Sequence, residues 1–85
     1  MRKLTVTPDA YAEYVNWLET DRKIFLKITV LIRESARDSG RGIGKPELLK
    51  HELKGYWSRR INHEHRLVYS VSETAIEIRS CKYHY

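Results

Sequence analysis

Three β-rich runs follow one another in the C-terminal third of the chain, at residues 56–61, 66–71 and 75–81. Their turns, Asn62-His63-Glu64 and Ser72-Glu73-Thr74, are too short to carry a crossover. Turns of that length join antiparallel neighbours, so this region is constrained to a three-stranded meander. Upstream, Lys3-Leu4-Thr5-Val6-Thr7 alternates and predicts a short first strand. Thr7-Pro8-Asp9 then opens a helix with a capping hydroxyl, a first-turn proline and an acid at the positive end of the dipole. Tyr11, Tyr14, Val15 and Leu18 follow at helical spacing.

A second helix is expected from Thr20-Asp21, with Ile24, Ile28, Leu31 and Ile32 as its apolar stripe. Almost no linker parts the two helices, so they form an antiparallel hairpin. The aromatics Tyr11, Tyr14 and Trp17 read as packing residues. Residues 38–46 hold three glycines and a proline and read as a loop without a phosphate-loop pattern. Residues 48–53 are ambiguous. The order β-α-α-β-β-β predicts an α+β domain: a twisted antiparallel sheet with a helical hairpin packed on one face. The first strand can take an edge or an interior position.

The 85 residues make one domain, 1–85, with a thin core. No apolar stretch approaches a membrane span, and Asp9 and Glu13 interrupt any leader-like run after Met1-Arg2-Lys3. The lone Cys81 excludes an internal disulfide, suits a reducing cytoplasm and reads as a buried sheet residue. Of the net charge of +5, residues 41–85 carry +4, together with all four histidines. Basic residues interleaved with Tyr56, Trp57, Tyr69, Tyr83 and Tyr85 form the footprint of a polyanion site, with aromatic faces suited to single-stranded RNA. Trp57 reads as sheet packing or a dimer contact.

Three residues can together cleave RNA without a metal or other cofactor. Glu47, in Gly44-Lys45-Pro46-Glu47, is a candidate base. Arg66 offers a planar fork of donors for the phosphate. His84, in the terminal Lys82-Tyr83-His84-Tyr85, is a candidate acid, because an imidazole titrates near neutral pH. Taken singly, Glu47 fits a solvated loop acid better and Arg66 a surface ion-pair partner better, and His84 could be a disordered tail. His51, His63 and His65 lack metal-ligand spacing. His63 and His65 flank Glu64 in a turn and are expected at the surface, with His65 close enough to Arg66 to touch substrate.

The segments Gly44-Lys45-Pro46-Glu47, Leu49-Lys50-His51, Tyr56-Trp57-Ser58-Arg59-Arg60-Ile61, His65-Arg66-Leu67-Val68-Tyr69 and Lys82-Tyr83-His84-Tyr85 resemble the YoeB toxins of the YefM–YoeB systems, within the RelE/ParE superfamily. The resemblance spans the whole chain. It implies a RelE-like fold akin to the microbial ribonucleases and mRNA cleavage in the ribosomal A site. It also implies a homodimer and inhibition by a YefM-like antitoxin. By resemblance, Glu47 is the base, Arg66 stabilises the phosphate, His84 is the acid and Tyr85 shapes the site. Lys50, Arg59 and Arg60 match basic positions near the substrate. One departure is Leu48, where the family pattern leads us to expect proline. The alternative is a non-catalytic ribosome- or RNA-binding protein on the same scaffold. A carboxylate retained in a basic cleft argues against it, because Glu47 would repel phosphate.

Overall fold

A computed structural model describes residues 2–82. The elements are β1 (Lys3–Val6), α1 (Pro8–Thr20), α2 (Arg22–Arg37), β2 (Glu47–Leu48), a 3-10 turn (His51–Leu53), β3 (Tyr56–Arg60), β4 (Arg66–Val71) and β5 (Ala75–Ser80). Thr7 caps α1 by accepting from the Ala10 N–H, and Pro8 follows at the first helical position. Asp21 serves both helices. Its backbone N–H donates to the Trp17 carbonyl and closes α1, while its carboxylate accepts from the Ile24 N–H and opens α2. One residue therefore makes the hairpin corner.

The sheet order is β1-β5-β4-β3-β2, with β2 to β5 antiparallel. β1 takes an edge and runs parallel to β5, so the sheet is mixed rather than wholly antiparallel. The hairpin turns fix the sense of consecutive strands only. Between β1 and β5 lie the helical pair and the meander, a connection long enough to permit parallel pairing. The ambiguous stretch after residue 46 resolves into the two-residue β2 and the 3-10 turn.

Both helices pack on one face of β4 and β5. Ile28 and Leu31 of α2 meet Leu67, Tyr69, Ile76 and Ile78, all essentially inaccessible to solvent. Each such side chain contributes roughly 1.5–3 kcal/mol by burial. In α1 the stripe is rotated from the one expected. Ala10, Tyr14 and Trp17 face the core, whereas Tyr11 is 61% exposed and Val15 and Leu18 are also exposed. Tyr14 stacks on Phe25 at 4.5 Å and hydrogen-bonds Thr29, which sets this rotation. Cys81 is buried as expected, and Trp57 packs against the core.

Candidate functional site

Alternation along paired strands assigns side chains to faces. Trp57 packs toward the helices, so Ser58 points to the open face. Glu47 pairs with Ser58, Ser58 with Val68, and Val68 with Ser80, forming one row across β2, β3, β4 and β5. Arg60 pairs with Arg66, and lies two residues along from Ser58, so this pair forms the next row on the same face. With strands about 4.8 Å apart, the Glu47 and Arg66 Cα atoms stand roughly 12 Å from one another. Two long side chains can bracket a phosphodiester across that gap. The Glu47 carboxylate is exposed and, among the described residues, has no ion pair within 4.0 Å. Arg66 is half-buried and Arg60 exposed. Glu77, also on the open face, is set apart opposite Ser70.

Lys50 is exposed, three residues beyond Glu47, at the start of the 3-10 turn. Tyr85 and the candidate acid His84 lie outside the described residues. Among the described residues, no group of three or more His, Cys, Asp or Glu side chains could hold a metal ion.

Two expected surface residues point inward. Arg59, expected with Arg60 near the substrate, is 0% exposed. Its Nε donates to the Tyr69 hydroxyl at 3.1 Å, Nη1 to the Ile43 carbonyl at 2.9 Å, and Nη2 to the carbonyls of Asp38 and Arg41. The guanidinium also lies 5.9 Å from the centre of the Tyr69 ring. These commitments leave it unable to reach RNA on the opposite face. They instead bind the glycine loop to the sheet, and Tyr69 completes the network by donating to the Ser39 carbonyl. The period of two in β3 already separates Arg59 from Arg60, and opposite Leu67 the inward face belongs to Arg59. His65 is likewise buried at 6% exposure, edge-on to Trp17 at 4.8 Å. Asn62 explains this: its side-chain oxygen accepts from the Glu64 and His65 N–H groups and turns the chain so that His65 folds under.

Sequence reasoning missed a feature of β5. The register slips between Val68 and Tyr69, which leaves Arg79 as an extra residue between the paired Ile78 and Ser80. A β-bulge of this kind re-aims a side chain. Arg79 lies over the Tyr56 ring at 5.1 Å, and Tyr56 pairs with Ser70 on the open face. No sequence signal marks it, because Arg79 continues the alternation Ile76-Glu77-Ile78-Arg79. Within the Glu47 row, the buried Ser58 hydroxyl has no hydrogen-bond partner among the described residues.

Helix α1 holds the end of the described chain from two sides. Trp17 Nε1 donates to the Cys81 carbonyl at 2.9 Å, and the Cys81 N–H donates to Glu13 Oε1 at 2.9 Å. Burial, reinforced by the Glu13 charge, pushes the Cys81 thiol from 9.0 up to about 12. A neutral, buried thiol is chemically inert.

Residues 6–85 match the YoeB-like toxins of bacterial type II toxin–antitoxin systems. The toxin YoeB of Escherichia coli (strain K12) is 48% identical over 83 residues, covering 98% of this chain and 99% of its own. A YoeB/ParE toxin from Agrobacterium tumefaciens superimposes with a TM-score of 0.92 at 45% identity, over 98% of this chain and 99% of that one. YoeB from Staphylococcus aureus has been solved as a dimer, with a TM-score of 0.89 at 49% identity over 99% of this chain and 98% of that one. It has also been solved in a heterotetrameric complex with YefM, with a TM-score of 0.88 at 49% identity over 100% and 99%.

Proposed function

Because the chain belongs to the YoeB-like toxins of bacterial type II toxin–antitoxin systems, we propose that it is an endoribonuclease that cuts mRNA in the ribosomal A site and so stops translation. The observation that carries this reading is the shared face of Glu47 and Arg66: a carboxylate with no ion pair among the described residues, beside the Arg60–Arg66 pair.

Glu47 takes the proton of the substrate 2′-OH, whose oxygen attacks the adjacent phosphorus. Arg66 donates two parallel hydrogen bonds to the phosphorane oxygens, a geometry that a lysine cannot reproduce. His84 gives its proton to the departing 5′-oxygen, and the product is a 2′,3′-cyclic phosphate. General acid–base transfer supplies about 10²–10⁴-fold, and charge stabilisation adds a factor of about 10²–10³. Lys50 and Arg60 hold neighbouring phosphates, and Tyr85 stacks on a base. Neither Arg59 nor His65 takes part, because both are buried on the helix side.

We also propose a homodimer and a YefM-like antitoxin as partners. Tyr11, Val15 and Leu18 on α1, with Leu26 and Val30 on α2, leave apolar surface exposed for such contacts. Among the described residues, no helix is long and apolar enough to cross a membrane.

The test is to map mRNA 5′ ends on programmed ribosomes stalled with an empty A site, using wild type, Glu47→Ala and His84→Ala. A new end within the A-site codon, lost in both variants, is expected. Ribosome binding by wild type with no new end would favour the non-catalytic binder.

A further inference from the structure

The open sheet face continues around Arg60 into a second basic feature. A cleft of about 420 Å³ lies between α2, the loop before β2 and the β3–β4 turn. Lys27, Lys45, Arg60 and His63 line it, each from a different stretch of the chain. Among the described residues, none of those lining it carries a carboxylate. Its apolar side chain, Ile61, belongs to the core and is 7% exposed.

The wall of the cleft is fixed. The Arg60 N–H donates to the Gly44 carbonyl at 2.6 Å, which ties the loop to the end of β3. Lys45 is held at φ +50, where glycine would sit without strain. Left-handed non-glycine residues cluster where surrounding structure holds a functional side chain in place. Asn62 spends its side-chain oxygen on the turn, so its NH₂ remains as a donor beside these cations.

We propose that this cleft holds the phosphodiester backbone of RNA flanking the cleaved bond. Two lysines and an arginine with no carboxylate among them fit the phosphates of a polyanion. Arg60 connects the two regions, because it pairs with Arg66 in the candidate active site and also lines the cleft. The proposal rests on the ribonuclease reading for the identity of the polyanion. The phosphates belong either to the mRNA or to ribosomal RNA beside it.

The experiment measures Kd against KCl concentration with two probes. One is a fully 2′-O-methylated single-stranded oligonucleotide, which cannot be cut for want of a free 2′-OH. The other is mRNA-free 70S ribosomes. Wild type, Lys27→Ala, Lys27→Glu, His63→Ala and, as a control on the far sheet edge, Lys3→Ala are compared. Lys27 and His63 are exposed, so their substitution leaves the core intact. Lys27→Ala is expected to weaken binding roughly threefold to tenfold and to reduce the slope of log K on log salt by about 0.7, with Lys27→Glu weaker still and Lys3→Ala unchanged. A loss with the oligonucleotide assigns the phosphates to mRNA; a loss with ribosomes alone assigns them to ribosomal RNA. The proposal is overturned if both Lys27 variants match wild type on both probes, or if wild type binds neither. Neither probe requires cleavage. Failure of wild type to cut mRNA on programmed ribosomes would therefore sink the nuclease reading separately, leaving the binding result intact.

Discussion

Arg59 and Arg60 leave β3 on opposite faces, and their neighbours give them opposite work. Arg59 satisfies three loop carbonyls and the Tyr69 hydroxyl. Removing it leaves buried acceptors without donors, the expensive way to lose a hydrogen bond. Arg59→Ala is therefore expected to destabilise the fold by roughly 3 kcal/mol or more, read from the urea midpoint. Arg59→Lys should recover only part of that, since one ammonium cannot span the same acceptors. Ser58 presents the reverse case. Among the described residues its buried hydroxyl has no partner, so Ser58→Ala removes an unmet donor and leaves a small gap. The expected outcome is a melting temperature equal to or above that of wild type. A clear drop would mean that the hydroxyl has a partner in solution.

At the scale of elements, the glycine loop is tied to β3 just before Glu47, and the α1 clasp holds Cys81. Gly44 has φ +84, and a Cβ there would lie 2.9 Å from Leu31 Cδ2 and 3.2 Å from the Arg60 carbonyl. Both strain and overpacking follow, so Gly44→Ala should lose about 2–3 kcal/mol in chemical denaturation. It should also slow the proposed cleavage by displacing Glu47, three residues on. The clasp on Cys81 is tested by amide hydrogen exchange. Glu13→Ala removes the acceptor and should speed exchange at the Cys81 N–H, while Glu13→Gln keeps an oxygen there and should not. Much of this scale was legible in advance. The capping residue Thr7, the α2 stripe and the meander are all local signals. The α1 stripe was misjudged because Tyr11, Val15 and Leu18 show the same period as a buried face, and only the Tyr14–Phe25 stack decides which side turns inward. The bulge at Arg79 was invisible because it is a mismatch between two strands.

For the whole molecule, the Cys81 thiol links pH to stability. In the folded chain it stays protonated up to about pH 12, whereas the unfolded chain releases the proton from 9.0 upward. Between those values the unfolded state binds fewer protons, so stability falls as pH rises. The urea midpoint of wild type should drop between pH 9 and pH 11 more steeply than that of Cys81→Ala. Equal slopes would show that the thiol is more accessible than its 1% exposure indicates.

The sequence by itself determined the helices, their hairpin, the meander and the family motifs that single out Glu47, Arg66 and His84. Periodicity, capping and turn chemistry act between residues a few positions apart, so a linear reading captures them. Only the tertiary structure decided that β1 runs parallel to β5 and that Glu47 shares a face with Arg66. It also sent Arg59 and His65 inward and joined Glu13 to Cys81. These outcomes depend on register and on contacts across long loops, 68 residues apart in the case of Glu13 and Cys81. Residues that far apart meet only when the whole core closes, because the entropy of joining them is offset by burial elsewhere in the fold.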